Sequence, residues 1–340
     1  MTTQPCLFYE CIKRRERTAC DVQQGESKRK LAGSSQLLRI RRLLRIAREH
    51  GFPAIGVCTR LLSEQLVLSV IGILRQLECR MAELAQPYDE LAAHYDQIFE
   101  DWDASITRQA TVLAGILDRE CGDGRPVRVL DCACGIGTQS LGLAMKGFDV
   151  TGCDISIGAV QRARSEASKR RLSVPFSVAN MLQLGTIPTS SFDAVICIDN
   201  SISHLETDED LSQAAEQAYG KLRPGGSFIG SIRDYDRLVV ERPTTQGPSF
   251  YSDNDSRCIV FQVWDWLDER RYRFHLYITR KTDSVWQTFH FSSTFRALLR
   301  SELQHILEEA RFVNIRWLSP SDSGFYQPLF VAHRDCETRR

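Results

Sequence analysis

One acid closes the apolar run that opens Val129-Leu130-Asp131-Cys132-Ala133-Cys134-Gly135-Ile136-Gly137-Thr138, and a second, Asp154, closes the next apolar run. Gly135 and Gly137 let the main chain pass close to a ligand where a strand turns into a helix. An acid at the end of the second strand can accept both hydroxyls of a ribose. Such residues hold nucleosides, and two kinds compete. A dinucleotide rests its pyrophosphate on the helix N-terminus and wants G-x-G-x-x-G. Here Ser140 stands at the third glycine position, and Asp131 would repel phosphates. S-adenosylmethionine carries no phosphate, and its cationic amino group welcomes a carboxylate. The combination favours the sulfonium nucleoside, with Asp131, Gly135, Gly137 and Asp154 as binding residues.

The elements that must position these residues follow from periodicity. Apolar runs predict strands over 127–132, 148–154, 176–179, 192–199 and 227–232, and helices over 138–146, 156–170 and 207–222. Strands alternating with helices give a doubly wound α/β fold with helices on both faces of a parallel sheet. Beyond it, 258–266, 271–280 and 285–292 alternate aromatic and polar residues and read as antiparallel strands. A helix over 296–311 and strands over 312–318 and 326–333 close the pattern. The antiparallel strands are expected as an insertion, within 247–295, covering the carboxyl ends of the sheet where open α/β sheets bind ligands.

Composition narrows the function classes. The 340 residues include 43% apolar and 25% charged side chains, ordinary for a globular chain. Residues 1–80 carry 15 Lys/Arg against 7 Asp/Glu, while 81–340 carry 28 against 36. The acidic larger part gives no nucleic-acid footprint. No apolar stretch of the N-terminal region reaches the ~20 residues of a membrane span, and the acids among its basic residues argue against a leader or transit peptide. The twelve cysteines form no CxxC pair, so no metal site is expected and they read as reduced thiols in a cytosol. The 1–80 segment is expected to be partly helical or disordered, with helices at about 35–50 and 63–85. It reads as a basic surface for anionic partners, or as an appended segment upstream of a start at Met81.

From about 87 to 333, roughly the last 245 residues, the sequence resembles the class I S-adenosylmethionine-dependent methyltransferases. The segments are VLDCACGIGTQS, VTGCDIS and VANMLQL, which are general, and FDAVICIDNSISHL and LRPGGSFIGSIRDYDRLV, which point to a glycine/sarcosine N-methyltransferase-like branch. The resemblance implies a Rossmann-like seven-stranded sheet, S-adenosylmethionine as cofactor, a small-molecule substrate and room for a homo-oligomer. It implies Asp154 on the ribose with Ile155 beside it, Ala133 and Gly135 along the methionine moiety, and Asn180 and Met181 at the adenine. Ile198 would touch the cofactor, and Arg108 would pair with its carboxylate. Tyr88, Tyr95 and Trp102 recur every seven residues and would form an aromatic lid from one helical face, or a packing stripe.

On the acceptor side, the resemblance implies Arg233 as the clamp for an amino-acid carboxylate, Asn200 as orienter of the acceptor and His204 beside them. Rival readings pair Arg233 with Asp234 or Asp236 and make His204 a bridge between loops. Tyr235 and Tyr326 are weaker pocket candidates. Asp199 departs from the pattern, standing where the glycine enzyme carries a small Gly. A carboxylate there would repel a free amino-acid carboxylate or bind a cationic substrate. The expected reaction is methyl transfer to an amine nitrogen, with His204 or Asp199 taking the proton. O- or S-methylation of another metabolite, and a binding module without turnover, stay open. The absence of a DPPY/NPPY run favours a small molecule over DNA.

Overall fold

Apolar runs too short for helices become strands wherever helices cover both faces, and the central sheet is built from such runs. The computed structural model describes residues 85–122, 124–188, 191–252 and 256–336. The helices expected at 35–50 and over 63–84, and the character of 1–80, lie outside the described residues. The parallel strands are β1 (Arg128–Asp131), β2 (Asp149–Asp154), β3 (Phe176–Val178), β4 (Phe192–Cys197) and β5 (Leu222–Ser231). With β10 (Phe312–Leu318) and β11 (Leu329–Arg334) they form a seven-stranded sheet ordered β10-β11-β5-β4-β1-β2-β3. β11 runs antiparallel to both β5 and β10. This is the Rossmann-like seven-stranded sheet that the resemblance implies.

The helices are α1 (Trp102–Cys121), α2 (Thr138–Met145), α3 (Ile157–Lys169), α4 (Asp208–Lys221), α5 (Tyr235–Glu241), α6 (Arg300–Glu309) and α7 (Pro320–Ser323). Alternation along the strands splits the core in two. Val195, Cys197, Phe228 and Phe330 pack with Leu211, Ala215 and Leu307 of α4 and α6. Ala194, Ile196, Ile229 and Val331 pack with Leu113, Ile116 and Leu117 of α1. Among the described residues no helix is long and apolar enough to cross a membrane.

Four antiparallel strands follow α5: β6 (Thr245–Ser252), β7 (Ser256–Trp266), β8 (Arg271–Thr282) and β9 (Val285–Arg296), paired in that order. Their period-two pattern places Val260, Trp264, Tyr272, Leu276, Ile278, Phe291 and Phe295 in buried positions. Several expected boundaries move. β9 continues to Arg296, so the helix expected from 296 starts at Arg300. β5 begins at Leu222 rather than 227. Its register with β4 slips between Phe192 and Ala194, so Pro224-Gly225-Gly226 forms an irregularity inside the strand instead of ending a helix before it.

The single helical face expected for Tyr88, Tyr95 and Trp102 does not form. Helix 85–91 stops, Tyr95–Ile98 is a separate 3-10 turn, and Phe99 is extended. α1 starts afresh at Trp102, capped by Asp101, whose carboxylate accepts from Ala104 N at 2.9 Å. An N-cap breaks the phase of a stripe that sequence spacing alone would carry through.

Candidate active site

At the carboxyl end of β1 the chain turns through 132–137 into α2. Gly135 and Gly137 have φ of 51° and 98°, left-handed values at which glycine is unstrained. A Cβ on Gly135 would meet nothing within 4 Å, so space lies open beside the turn. Asp154, closing β2, accepts from Gly135 N at 2.8 Å and Ser156 N at 2.9 Å. Those two bonds fix the carboxylate at the mouth of the turn. Asp131 accepts from Ser140 Oγ at 2.7 Å, which accounts for serine at the third glycine position: the hydroxyl satisfies a buried acid.

Electrostatics decide which nucleoside suits the turn. Burial pushes the Asp131 carboxyl up to about 7, with Asp154 and Asp199 adding repulsion and Ser140 opposing. Burial also raises Asp154, against the main-chain donors of Ser156 and Gly135. None of Asp131, Asp154 and Asp199 forms an ion pair among the described residues. A turn with open space and uncompensated acids fits a cationic sulfonium nucleoside and disfavours a pyrophosphate.

The remaining cofactor candidates are placed as follows. Ala133 and Ile155 lie in the turns after β1 and β2. Asn180 opens the 3-10 turn Met181–Thr186, its side chain accepting from Leu182 N at 2.9 Å. Ile198 is buried in the core layer beneath α1. Arg108, near Ser105 Oγ at 3.4 Å, lines a cavity on the acceptor side. Trp102 does not reach that cavity. It donates from Nε1 to Thr138 Oγ1 at 2.9 Å and packs under Arg162 and Arg170.

The cavity, about 920 Å³, lies between the ends of β4 and β5 and the inserted sheet. It brings together Tyr88, Tyr95, Asp199, Asn200, His204 and Arg233. Asp199 and Asn200 have φ of 59° and 66°, two consecutive left-handed residues that follow β4 after Ile198. Asn200 is 2% exposed, and its amide is committed within the protein. Its oxygen accepts from Ser203 Oγ at 2.9 Å and Arg233 N at 3.0 Å, and its nitrogen donates to Tyr235 OH at 2.9 Å. Asn200 thus ties the β4 turn to the end of β5. Tyr235 is fully buried, shares a bond with Tyr272, and does not line the cavity.

Arg233 has no acidic partner among the ion pairs of the described residues; Asp234 and Asp236 pair instead with Arg300. Its guanidinium lies 4.5 Å from the Trp264 ring centre, 5.2 Å from Phe274 and 5.8 Å from Phe295. Alternate positions of β7, β8 and β9 supply this aromatic box, which holds the cation without neutralising it. His204 Nε2 lies 2.6 Å from Tyr88 OH, and Nδ1 is 3.4 Å from Ser293 Oγ. Burial pushes His204 down to about 4, and Arg233 acts in the same direction. Burial raises the Tyr88 phenol, so the neutral hydroxyl donates to Nε2. Sequence reasoning missed Gln139, which donates to Asp199 Oδ2 at 2.7 Å and to Gln109 Oε1 at 2.8 Å. No local pattern marks a lone glutamine on a helix.

A family profile described as a methyltransferase domain matches residues 129–226. Over 208 residues the chain is 31% identical to the glycine/sarcosine N-methyltransferase of Aphanothece halophytica, covering 61% of this chain and 74% of that protein. It is 35% identical over 139 residues to the glycine N-methyltransferase of Rattus norvegicus, spanning 38% of this chain and about half of that one, 47%. Among solved structures, DesVI of Streptomyces venezuelae superposes with a TM-score of 0.60 at 19% identity, covering 72% of this chain and 98% of that one. CalS10 of Micromonospora echinaspora, an amino pentose methyltransferase solved with S-adenosylmethionine bound, gives 0.54 at 20%, covering 68% and 92%. At those identities the likeness speaks for the fold. The cofactor is S-adenosylmethionine, and the chain belongs to the class I S-adenosylmethionine-dependent methyltransferases.

Proposed function

We propose that the chain methylates the amine nitrogen of a small molecule of the glycine or sarcosine type. The observation that carries this reading is Arg233, a guanidinium on the cavity wall, boxed by aromatic rings and unpaired by any acid among the described residues. A guanidinium so held recognises a carboxylate in bidentate fashion. The names of the relatives supply the amine. When bound, S-adenosylmethionine supplies an electrophilic methyl group that needs no covalent help from the protein.

The chain's residues then bind and align. Asp154 takes the ribose hydroxyls, and Asp131 faces the amino end of the cofactor. Ala133, Gly135 and Gly137 let the main chain close on the methionine part. Ile155, Asn180 and Met181 flank the base, and Arg108 takes the cofactor carboxylate. Alignment of nitrogen, methyl and sulfur in line supplies roughly 7–11 kcal/mol. Held by Asp154, Asp131 and Arg108, the cofactor would give its methyl group to the acceptor nitrogen, its sulfur keeping the bonding electron pair. The amine proton passes to the Tyr88 oxygen as Tyr88's own proton moves to His204 Nε2.

S-adenosylhomocysteine release is measured with glycine, sarcosine, other amines, phenols and thiols. Turnover confined to phenols or thiols, or none at all, would sink the proposal. Arg233→Ala should raise the KM of a carboxylate-bearing acceptor about 10- to 100-fold while cofactor affinity stays within about twofold. A cytosolic setting, in keeping with the free thiols of the described residues, and assembly into a homo-oligomer belong to the same reading. Imaging of the tagged full chain and light scattering check them.

A further inference from the structure

Asp199 is the one acid of the acceptor cavity wall that belongs to a left-handed pair. An L-residue at φ 59° is strained relative to glycine, and Asn200 at φ 66° repeats the strain. Strain of this kind persists where the surroundings over-determine it. Three anchors do so here. Asp199 N donates to Ser231 Oγ at 2.8 Å, and Gln139 Nε2 donates to Oδ2 at 2.7 Å. Tyr326, more than half exposed as a residue, sends its hydroxyl onto Oδ1. Each carboxylate oxygen therefore receives one neutral donor. A carboxylate has about four acceptor positions, so about two stay unfilled.

The charge is the unbalanced part. No Arg, Lys or His forms an ion pair with Asp199 among the described residues. Burial raises its carboxyl, while Tyr326 and Gln139 hold it back. An enclosed anion aimed by two side chains into a cavity is complete only when a ligand brings a positive charge or an N–H donor. The opposite charge on the same cavity, Arg233, likewise has no acidic partner among the described residues, its Nη1 donating only to the neutral Gln262 Oε1 at 3.5 Å. Phe261, Trp264, Phe274 and Leu276 line the wall as well. The cavity of about 920 Å³ is shared with the methionine end of the cofactor, whose proposed partner Arg108 lines the same wall, so the apolar lining rather than the volume describes the acceptor.

We propose that Asp199 is a specificity-determining residue that binds the amine of the acceptor, and that the acceptor is an amino acid of the glycine type that carries an apolar side chain. The carboxylate accepts an N–H of the amine, and Arg233 takes the anionic end. The inference rests on the amine-acceptor reading, but its test reads binding rather than turnover.

Three probes share one body: L-phenylalanine has amine and carboxylate, phenethylamine only the amine, and 3-phenylpropionate only the carboxylate. Each is titrated by calorimetry into the full chain saturated with S-adenosylhomocysteine. Asp199→Asn should weaken L-phenylalanine and phenethylamine about tenfold or more, and 3-phenylpropionate by less than roughly twofold. Asp199→Gly removes the strain, so it should melt no lower than the wild type yet show the same loss for both amines. Unchanged affinity of the amine-bearing probes overturns the proposal, as does equal loss of 3-phenylpropionate. So does failure of all three probes to bind the wild-type chain. An equal loss in the affinity for S-adenosylhomocysteine itself overturns it too, because the carboxylate would then serve the cofactor's ammonium. If the amines bind through Asp199 but none is methylated, the proposed function falls and this inference stands.

Discussion

Asp193 and Asp199 lie at opposite ends of β4, and their surroundings treat them in opposite ways. At the amino end, Asp193 is 1% exposed and is clasped by Arg125 at 2.6 and 2.9 Å, by Arg223, and by Arg128 N at 2.8 Å. Those partners hold its carboxyl down at about 2, against the desolvation that opposes them. At the carboxyl end, Asp199 has two neutral donors and no cationic partner among the described residues, and Asp131 nearby is pushed up to about 7. One end satisfies its charge internally and secures the fold. The other leaves charge unsatisfied and waits for ligands, as open α/β sheets do at that edge.

Substitutions can break or sharpen this contrast. The largest effect is expected from Asp154→Ala. It removes the carboxylate that orders the glycine turn, and S-adenosylhomocysteine affinity should fall about a hundredfold, with little change in unfolding free energy. Equal affinity by calorimetry would remove Asp154 from the binding site. Asp193→Asn should do the reverse, costing about 2 kcal/mol in denaturant unfolding at pH 7 and leaving ligand affinity intact. Arg125 is 45% exposed, so solvent screening keeps the figure at the lower end. The folded chain holds Asp193 near 2 against an ordinary 3.8, so its contribution is full above about pH 4 and is lost as pH falls toward 2. The variant's disadvantage should therefore vanish across that window; a constant difference would contradict the clasp.

Asp131 supplies a third, smaller effect of opposite sign. Its raised carboxyl is mostly neutral at pH 6 and ionised at pH 8. Affinity for S-adenosylhomocysteine, whose ammonium prefers the anion, should strengthen up to about tenfold over that rise, and Asp131→Asn should flatten the curve. The smallest effect belongs to Tyr88→Phe, which deletes the donor to His204. It should lower kcat/KM about fivefold, or ~1 kcal/mol. Because His204 is held near 4, the loss should be the same at pH 6 and pH 8. A loss that changes between those two values would show another titrating group in the path.

The cofactor edge was legible because it is written in consecutive residues. Strand, acid, Gly135-x-Gly137 and Asp154 are local signals, and main-chain geometry does the rest. The acceptor wall was legible only in part. Arg233 and the Asn200–His204 run follow strand ends, yet the role expected of Asn200 ignores the internal bonds that occupy its amide. The aromatic box had a signal in the alternation of β7 to β9, but pairing register, absent from sequence, decides which rings meet Arg233. β6 escaped notice because Gly247-Pro248 and a polar, exposed run read as loop. Gln139 and Tyr326 reach Asp199 from 60 and 127 positions away along the chain. No periodicity encodes a meeting of that kind.

The position of β11 bears on how the protein is made. This strand, the last of the described ones to leave the ribosome, must slot between β5 and β10, both synthesised before it. Until it does, β5 presents a bare hydrogen-bonding rim, and the hairpin carrying Tyr326 has no seat. A nascent chain halted before Leu329 would own its glycine turn while offering a sticky strand to other polypeptides. Chaperone demand should therefore rise once β10 has emerged and fall when β11 pairs.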